Sequence, residues 1–182
     1  IYFDLNPKFA GKILVFWLKV LDYNNETAKM FESIVEEGDA VKVDYTGEFL
    51  DGNVFDSSEG RQPLQFTVGT GQMIKGFDKA VLGMKEGEEK TAIIPPEEAY
   101  GERNERLVIA IDKNSTEYKS LGRELNVGEF IDSAVAEFNG VEKRGALASK
   151  IDGNSVYLDF NHKLAGKTLK FKITLKELKK AR

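Results

Sequence analysis

The sequence predicts an α+β fold with a small, mainly β second module, on three observations. Segments of period-2 alternation flank one short amphipathic helix, a stretch of different texture from Glu102 to Asn161 interrupts them, and one pattern occurs twice along the chain. Alternation marks a half-buried strand because successive side chains point to opposite faces. Strands gathered round a single short helix read as α+β rather than as a βαβ repeat.

The repeat comes first in the chain. Tyr2, Asp4, Asn6, Lys8, Ala10, Gly11, Lys12, Leu14 and Phe16 return at a constant offset as Tyr157, Asp159, Asn161, Lys163, Ala165, Gly166, Lys167, Leu169 and Phe171. Each copy reads as an alternating strand, a turn and a second alternating strand. In the second copy Leu169, Phe171, Ile173 and Leu175 share one face and Lys170, Lys172 and Thr174 the other, which favours a core strand over the alternative of a surface hairpin. Residues 1–37 are accordingly an N-terminal segment that repeats the closing strands, plus a linker. Asn25 to Glu37 holds Met30, Phe31, Ile34 and Val35 at helical spacing before Gly38 and is expected to be helical or irregular.

From Ala40 the period changes to 2, with Val41, Val43 and Tyr45 on one face and Lys42 and Asp44 on the other. Asp51-Gly52-Asn53 is a turn signal. Ile74, Phe77, Val81 and Leu82 fit one face of a short helix ending near Gly83. Thr91 to Ile94 returns to strand, and Pro95-Pro96 stops it. Leu107 to Ile111, Gly128 to Ile131, Ala134 to Phe138 and Val156 to Phe160 read as short strands of a small β module, separated by turns such as Asn139-Gly140 and Asp152-Gly153-Asn154. A module of that size is near the lower limit for independent stability.

Composition excludes several classes of function. Twenty-six basic and thirty acidic residues give a net charge of −4, without the basic excess that phosphate neutralisation needs, so no nucleic-acid partner is expected. The chain has no cysteine and a single histidine, His162, which leaves no thiolate nucleophile, disulfide framework or histidine-cluster metal site and fits a reducing, cytoplasmic setting. The longest apolar run, Ile13 to Leu18, falls well short of the ~20 residues of a membrane helix, so no membrane partner is expected. Ile1 in place of an initiating methionine reads as a fragment or processed product. Gly69-x-Gly71 followed by Gly76 fails the spacing of a nucleotide loop. His162 has no partner ligand within sequence reach, Pro7 stands at its place in the first copy, and it is expected to support a turn.

Four motifs in order carry a resemblance. Val43-Asp44-Tyr45-Thr46-Gly47, Asp51-Gly52-x-x-Phe55-Asp56-Ser57-Ser58, Gly71-Gln72-Met73-Ile74-x-Gly76-Phe77 and Ala99-Tyr100-Gly101 resemble the signature of the FKBP family of prolyl cis/trans isomerases. The interruption after Tyr100-Gly101, closing with Asn161-His162-x-Leu164-Ala165-Gly166, resembles the SlyD branch of that family and similar archaeal members. The resemblance implies an antiparallel sheet wrapped around a short helix, formed by residues 38–101 and 162–178. It also implies an insert-in-flap chaperone domain over 102–161.

By the same resemblance Tyr45, Asp56 and Tyr100 are the catalytic residues and Phe55, Phe66, Met73, Ile74, Phe77 and Phe171 bind substrate, with Phe77 as the floor. No cofactor is implied. The implied partners are proline-containing peptides and unfolded proteins, with macrolide inhibitors a further ligand class. Leu64, Phe77 and Gln72 depart from the residues most frequent in the family at their positions, which bears on macrolide affinity. SlyD's metal-binding tail has no counterpart in Lys179-Lys180-Ala181-Arg182, so nickel binding is not carried over. Read without the motif context, Phe55, Phe66, Phe77 and Phe171 are core residues, Asp56 caps a turn and Tyr100 is a surface aromatic. Two functions follow: an active isomerase with a chaperone insert, or a chaperone or peptide-binding module without significant isomerase activity. The first copy of the repeat, too apolar for a free edge, is expected to pair as an added strand on the insert's sheet edge or on a neighbouring chain.

Overall fold

The computed structural model describes residues 34–181. The first copy of the repeat, its expected pairing and the linker reading over 25–33 lie outside them.

Strand β1 (Ala40–Phe49) is the axis of the larger sheet. Its alternating pattern leaves Val41 and Val43 at 1% and 0% exposure on the inner face. On one side it pairs antiparallel along its whole length with β9 (Leu169–Lys179), from Ala40 opposite Lys179 to Phe49 opposite Leu169, with a bulge at Lys42/Val43. The other side is shared between two short strands. β2 (Val54–Ser57) pairs with the second half of β1 and β3 (Leu64–Thr67) with the first. β4 (Glu89–Ile94) completes the sheet on the far edge of β9.

One short helix, α1 (Lys75–Val81), lays Phe77, Ala80 and Val81 against the inner face. There they join Phe66, Ile94, Phe171, Ile173 and Leu175 in one buried cluster. Gly76 has a packing reason, because a Cβ there would lie 2.3 Å from Ile94 Cγ2. The helix therefore approaches β4 more closely than any side chain would permit. This is the α+β core that the alternation predicts. Of the helical and irregular alternatives the described end takes the irregular one: Ile34 bridges Lys85, the Val35 N–H donates to the Met84 carbonyl (2.9 Å), and Val35 is 2% exposed. The Val35 N–H that a helix would use internally is spent on Met84, and the Val35 side chain enters the core instead. Asp39, also 2% exposed, ties this entry to the chain's far end by accepting from the Ala181 and Glu36 N–H groups, each at 2.8 Å.

The stretch after Gly101 builds a second sheet with its own core. β5 (Val108–Asp112), β6 (Phe130–Phe138), β7 (Val141–Asp152) and β8 (Ser155–Asp159) pair antiparallel in the order β5-β8-β7-β6. Sequence reading did not identify β7, whose first four residues are all exposed and lack an apolar alternation. It also did not identify α2 (Thr116–Lys119), capped by Ser115 accepting from the Tyr118 N–H. Buried Tyr118, Ile131, Ala146, Val156, Leu158 and Phe160 form a cluster separate from the first. Among the described residues no helix is long and apolar enough to cross a membrane.

Candidate active site

The inner face of β1 carries the first wall. Tyr45 follows Val41 and Val43 in the alternation, and its ring stands edge-on to Phe77, centroids 6.0 Å apart at 87°. Two residues on, Gly47 is buried, and a Cβ there would meet Phe55 at 2.7 Å and Phe171 at 2.9 Å. The absent side chain lets those two rings close over the strand, 5.6 Å apart and perpendicular. Phe171, opposite Gly47 on β9, meets Phe77 edge-on at 5.2 Å and 88°. Such edge-to-face arrays place the positive rim of one ring on the negative face of the next.

These rings line a cavity of about 320 Å³ together with Asp56, Gly71, Gln72, Met73, Ile74 and Tyr100. Phe77, at 0% exposure, is its floor. Eight of the nine residues singled out from the sequence line it. The ninth, Phe66, lies behind Phe77 at 5.8 Å, 4% exposed, and supports the floor rather than facing the cavity. Period-2 reading puts Phe66 on the inner face but cannot tell the front of a ring cluster from its back. A larger depression of about 390 Å³ is lined by charged and hydroxyl groups such as Asp44, Arg61, Glu89 and Lys172. It offers no apolar seat comparable to the Phe77 cavity.

Among the described residues Asp56 is the only charged one lining the smaller cavity, and its charge is already committed. Its carboxylate accepts from the Tyr45 hydroxyl (2.6 Å), from Arg61 Nη2 (2.6 Å) and from the Ser57 N–H (2.9 Å). The Tyr45 hydroxyl, and then Arg61, hold the carboxyl below its ordinary value. Burial and the hydrogen bond to Asp56 push Tyr45 up to about 12. Carboxylate and phenol are thus fixed in complementary states at neutral pH. Ser58 anchors the same corner, accepting from the Tyr45 N–H at 2.9 Å while its own N–H donates back to the Tyr45 carbonyl.

Sequence reasoning missed one contributor and gave another no role. Arg61 pairs with Asp56, but its place five residues on in a loop gives no periodic signal. Gln72 accepts from the Thr67 N–H at 2.8 Å and so holds the 71–74 rim of the cavity to β3. Its side-chain carbonyl supplies the acceptor there without a charge.

Tyr100 enters from the opposite side. Pro95-Pro96 ends β4 and starts a 3₁₀ turn over Pro96–Glu98, from which the Gly101 N–H returns to the Pro96 carbonyl (2.8 Å). The Gly101 carbonyl in turn accepts from the Gly166 N–H at 2.8 Å, joining the chain where it leaves the core to where it comes back. Tyr100 is 40% exposed, and its ring stacks on His162, centroids 4.0 Å apart and 6° from parallel.

Comparison with known proteins agrees with this geometry. The family described as FKBP-type peptidyl-prolyl cis-trans isomerase matches residues 32–176. A short-type peptidyl-prolyl cis-trans isomerase of Methanocaldococcus jannaschii is 39% identical over 170 residues, covering 82% of this chain and 97% of that protein. The SlyD isomerase of Treponema pallidum is 30% identical over 141 residues, 78% of this chain and 76% of its own. Human FKBP2 is 52% identical over 68 residues, only 37% of this chain and 48% of its own length. The chain belongs to the FKBP-type peptidyl-prolyl cis-trans isomerase family and is an isomerase of peptide bonds to proline.

Proposed function

With that membership as premise, we propose that proline is held in the cavity over Phe77, and that the 102–161 module is a separate domain that captures unfolded chains and delivers their prolines to it. The observation that carries the first part is an aromatic seat whose one charged residue is already neutralised by partners. Rotation about an X-Pro bond is opposed by roughly 18–20 kcal/mol because amide resonance favours the planar, charge-separated form. An apolar seat disfavours that dipolar form relative to the twisted one, in which resonance is lost. Each 1.36 kcal/mol of such preference is about tenfold in rate. Tyr100, at the rim, donates its hydroxyl to a substrate carbonyl. Asp56, through Tyr45, fixes the wall against which the ring of proline packs. The same seat, with Phe77 as its floor, is where a macrolide inhibitor would bind.

Val127, Phe130, Val135 and Val141 favour the chaperone role of the module, being 62%, 58%, 50% and 58% exposed on or beside edge strand β6 or the adjoining turn. An open edge with apolar side chains accepts extended chains by strand addition. Two separate hydrophobic clusters support domain limits of 38–101 with 162–178 for the isomerase and 102–161 for the insert. A cysteine-free composition supports a cytoplasmic setting.

The test is replacement of 102–161 by a short loop, with protease-free prolyl isomerisation measured on a short peptide and on a refolding protein. Turnover on the peptide is expected to stay within about tenfold, while catalysis of refolding falls much further because the effective concentration of substrate prolines is lost. Equal losses on both substrates mean that the module completes the cavity and is no separate capture domain. Loss on neither means that it captures nothing.

A further inference from the structure

We propose that His162 is a positioning residue of the isomerase site: its imidazole holds the Tyr100 ring at the rim of the Phe77 cavity and makes the exit strand of the insert part of the active site.

Tyr100 needs such support. Its ring is partly exposed, and among the described residues no hydrogen bond to its hydroxyl is found, so the hydroxyl remains available for a substrate. The imidazole lies parallel to the ring at 4.0 Å and restrains it by stacking. The backbone there is held by the Gly101–Gly166 and Gly101–Pro96 bonds, but neither fixes the side-chain torsions.

His162 is itself placed with little freedom. The Leu164 N–H donates to its Nδ1 at 3.2 Å, which sets the plane of the imidazole and requires that nitrogen to be unprotonated. Its carbonyl accepts from the Ala165 N–H at 2.8 Å. Desolvation, and then the Lys163 charge, lower its pKa, in keeping with a neutral ring that accepts at Nδ1.

Immediately upstream the chain is clamped. Asn161 Oδ1 accepts from the Asn104 N–H (2.9 Å), and Asn161 Nδ2 donates to the Asn104 carbonyl (3.0 Å) and to Asp159 Oδ1 (2.7 Å). Asp159 accepts from the Asn161 N–H at 2.9 Å and from Arg103 Nη2 at 2.8 Å. Entry and exit strands of the insert are therefore fastened to each other at Arg103-Asn104 and Asp159-Asn161, and the next residue on the exit side is the one that meets Tyr100. The polar clamp fixes where the strand leaves the insert, and His162 carries that position to the site.

The inference rests on the reading of Tyr100 as the hydroxyl donor, and the experiment separates the two. In the full chain, His162→Ala, His162→Phe and His162→Asn are compared with Tyr100→Phe, Tyr100→Ala and the double variant Tyr100→Ala/His162→Ala, with kcat/KM measured on a proline peptide. A stacked aromatic pair is expected to make a difference of roughly three- to tenfold, so His162→Ala falls by about that factor. His162→Phe keeps a ring without the Nδ1 acceptor and restores kcat/KM to within about twofold. His162→Asn keeps an acceptor for the Leu164 N–H without a ring and does not. The double variant is no slower than Tyr100→Ala alone.

Full activity in His162→Ala overturns the proposal, as does rescue by Asn but not Phe, which would make the residue a turn cap only. Additive losses in the double variant also overturn it. Loss in Tyr100→Phe with none in His162→Ala leaves the hydroxyl reading intact and sinks only the role of His162. No loss in Tyr100→Phe with loss in His162→Ala removes the hydroxyl reading and leaves the positioning of the ring standing.

Discussion

The two sheets of this chain fill their buried clusters differently. In the isomerase core, Leu169, Ile173 and Leu175 of β9 are all at 0% exposure, and the less buried rings of Tyr45, Phe55 and Tyr100 line a concave seat with Phe77 and Phe171. In the insert the buried cluster is built partly of alanines, Ala134, Ala146 and Ala148, while Phe130, Val135 and Val141 remain at least half exposed. The difference follows from the task proposed for each. A seat that discriminates between two states of one bond needs its walls fixed by a close-packed surround. A surface that takes many unfolded sequences needs exposed apolar area and an unpaired strand edge, and it gives up burial to have them.

The largest effect expected from this contrast is at the floor of the seat. Phe77→Ala should destabilise the core by about 3–5 kcal/mol and abolish turnover on a proline peptide. Chemical denaturation followed separately at core and insert amides would show the core transition moving and the insert transition staying. A common shift of both would mean that the two clusters unfold as one unit and would remove the basis for treating them apart.

An intermediate effect is expected where the regions are stitched. Asp39 fastens the core's ends and Asp159 the insert's. Burial raises the pKa of each, but in Asp39 the Ala181 and Glu36 N–H groups and Lys180 outweigh it, and in Asp159 the Asn161 side chain and N–H, with Arg103, do the same. Both carboxyls end below the ordinary value of 3.8. A folded value below the unfolded one makes the stabilisation complete above the unfolded value and lost as pH falls through the folded one. Core and insert should therefore both weaken only at pH below about 4. Asp159→Asn should remove about 1–3 kcal/mol from the insert alone at neutral pH and flatten only the insert's acid limb, as read by hydrogen exchange. If protection in the core falls equally, the stitch at Asp159 serves the whole chain.

The smallest effect on stability should come with a large effect on function. Val127→Ser combined with Val135→Ser changes exposed positions only and should cost about 1 kcal/mol or less. Suppression of aggregation of an unfolded client should fall severalfold while turnover on a short peptide stays at its original rate. Unchanged suppression would show that β6 and its flank are not the capturing surface.

The periodic elements of the core were legible because their apolar faces repeat every second residue or along a helical stripe. Val41, Val43 and Tyr45, the Ile74-to-Leu82 helix face and Leu169 to Leu175 all face inward as the pattern requires. The family resemblance likewise led to eight residues that line one cavity. β7 was not legible, because Glu142, Lys143 and Arg144 break any apolar alternation in the half that pairs with the edge strand. The short helix at Tyr118 was hidden by its length. Arg61, the role of Gln72 and the Tyr100–His162 stack were missed for another reason: Arg61, Gln72, Tyr100 and His162 all lie in loops, and a loop residue's contacts are set by where the flanking elements end rather than by any local period.

The sequence by itself determined the family, the fold class, the order of the strands' faces and nearly all of the seat, since alternation and motif spacing act over a few residues and survive without knowledge of the partner. Only the tertiary structure decided which ring stands in front and which behind, as with Phe77 and Phe66. It also committed the Asp56 charge to Tyr45 and Arg61, and brought His162 from the far side of the insert onto the ring of Tyr100. Those outcomes depend on long-range closure, the pairing of β1 with β9 and of the Gly101 carbonyl with the Gly166 N–H, and no local pattern of residues encodes a contact that exists only once distant segments have met.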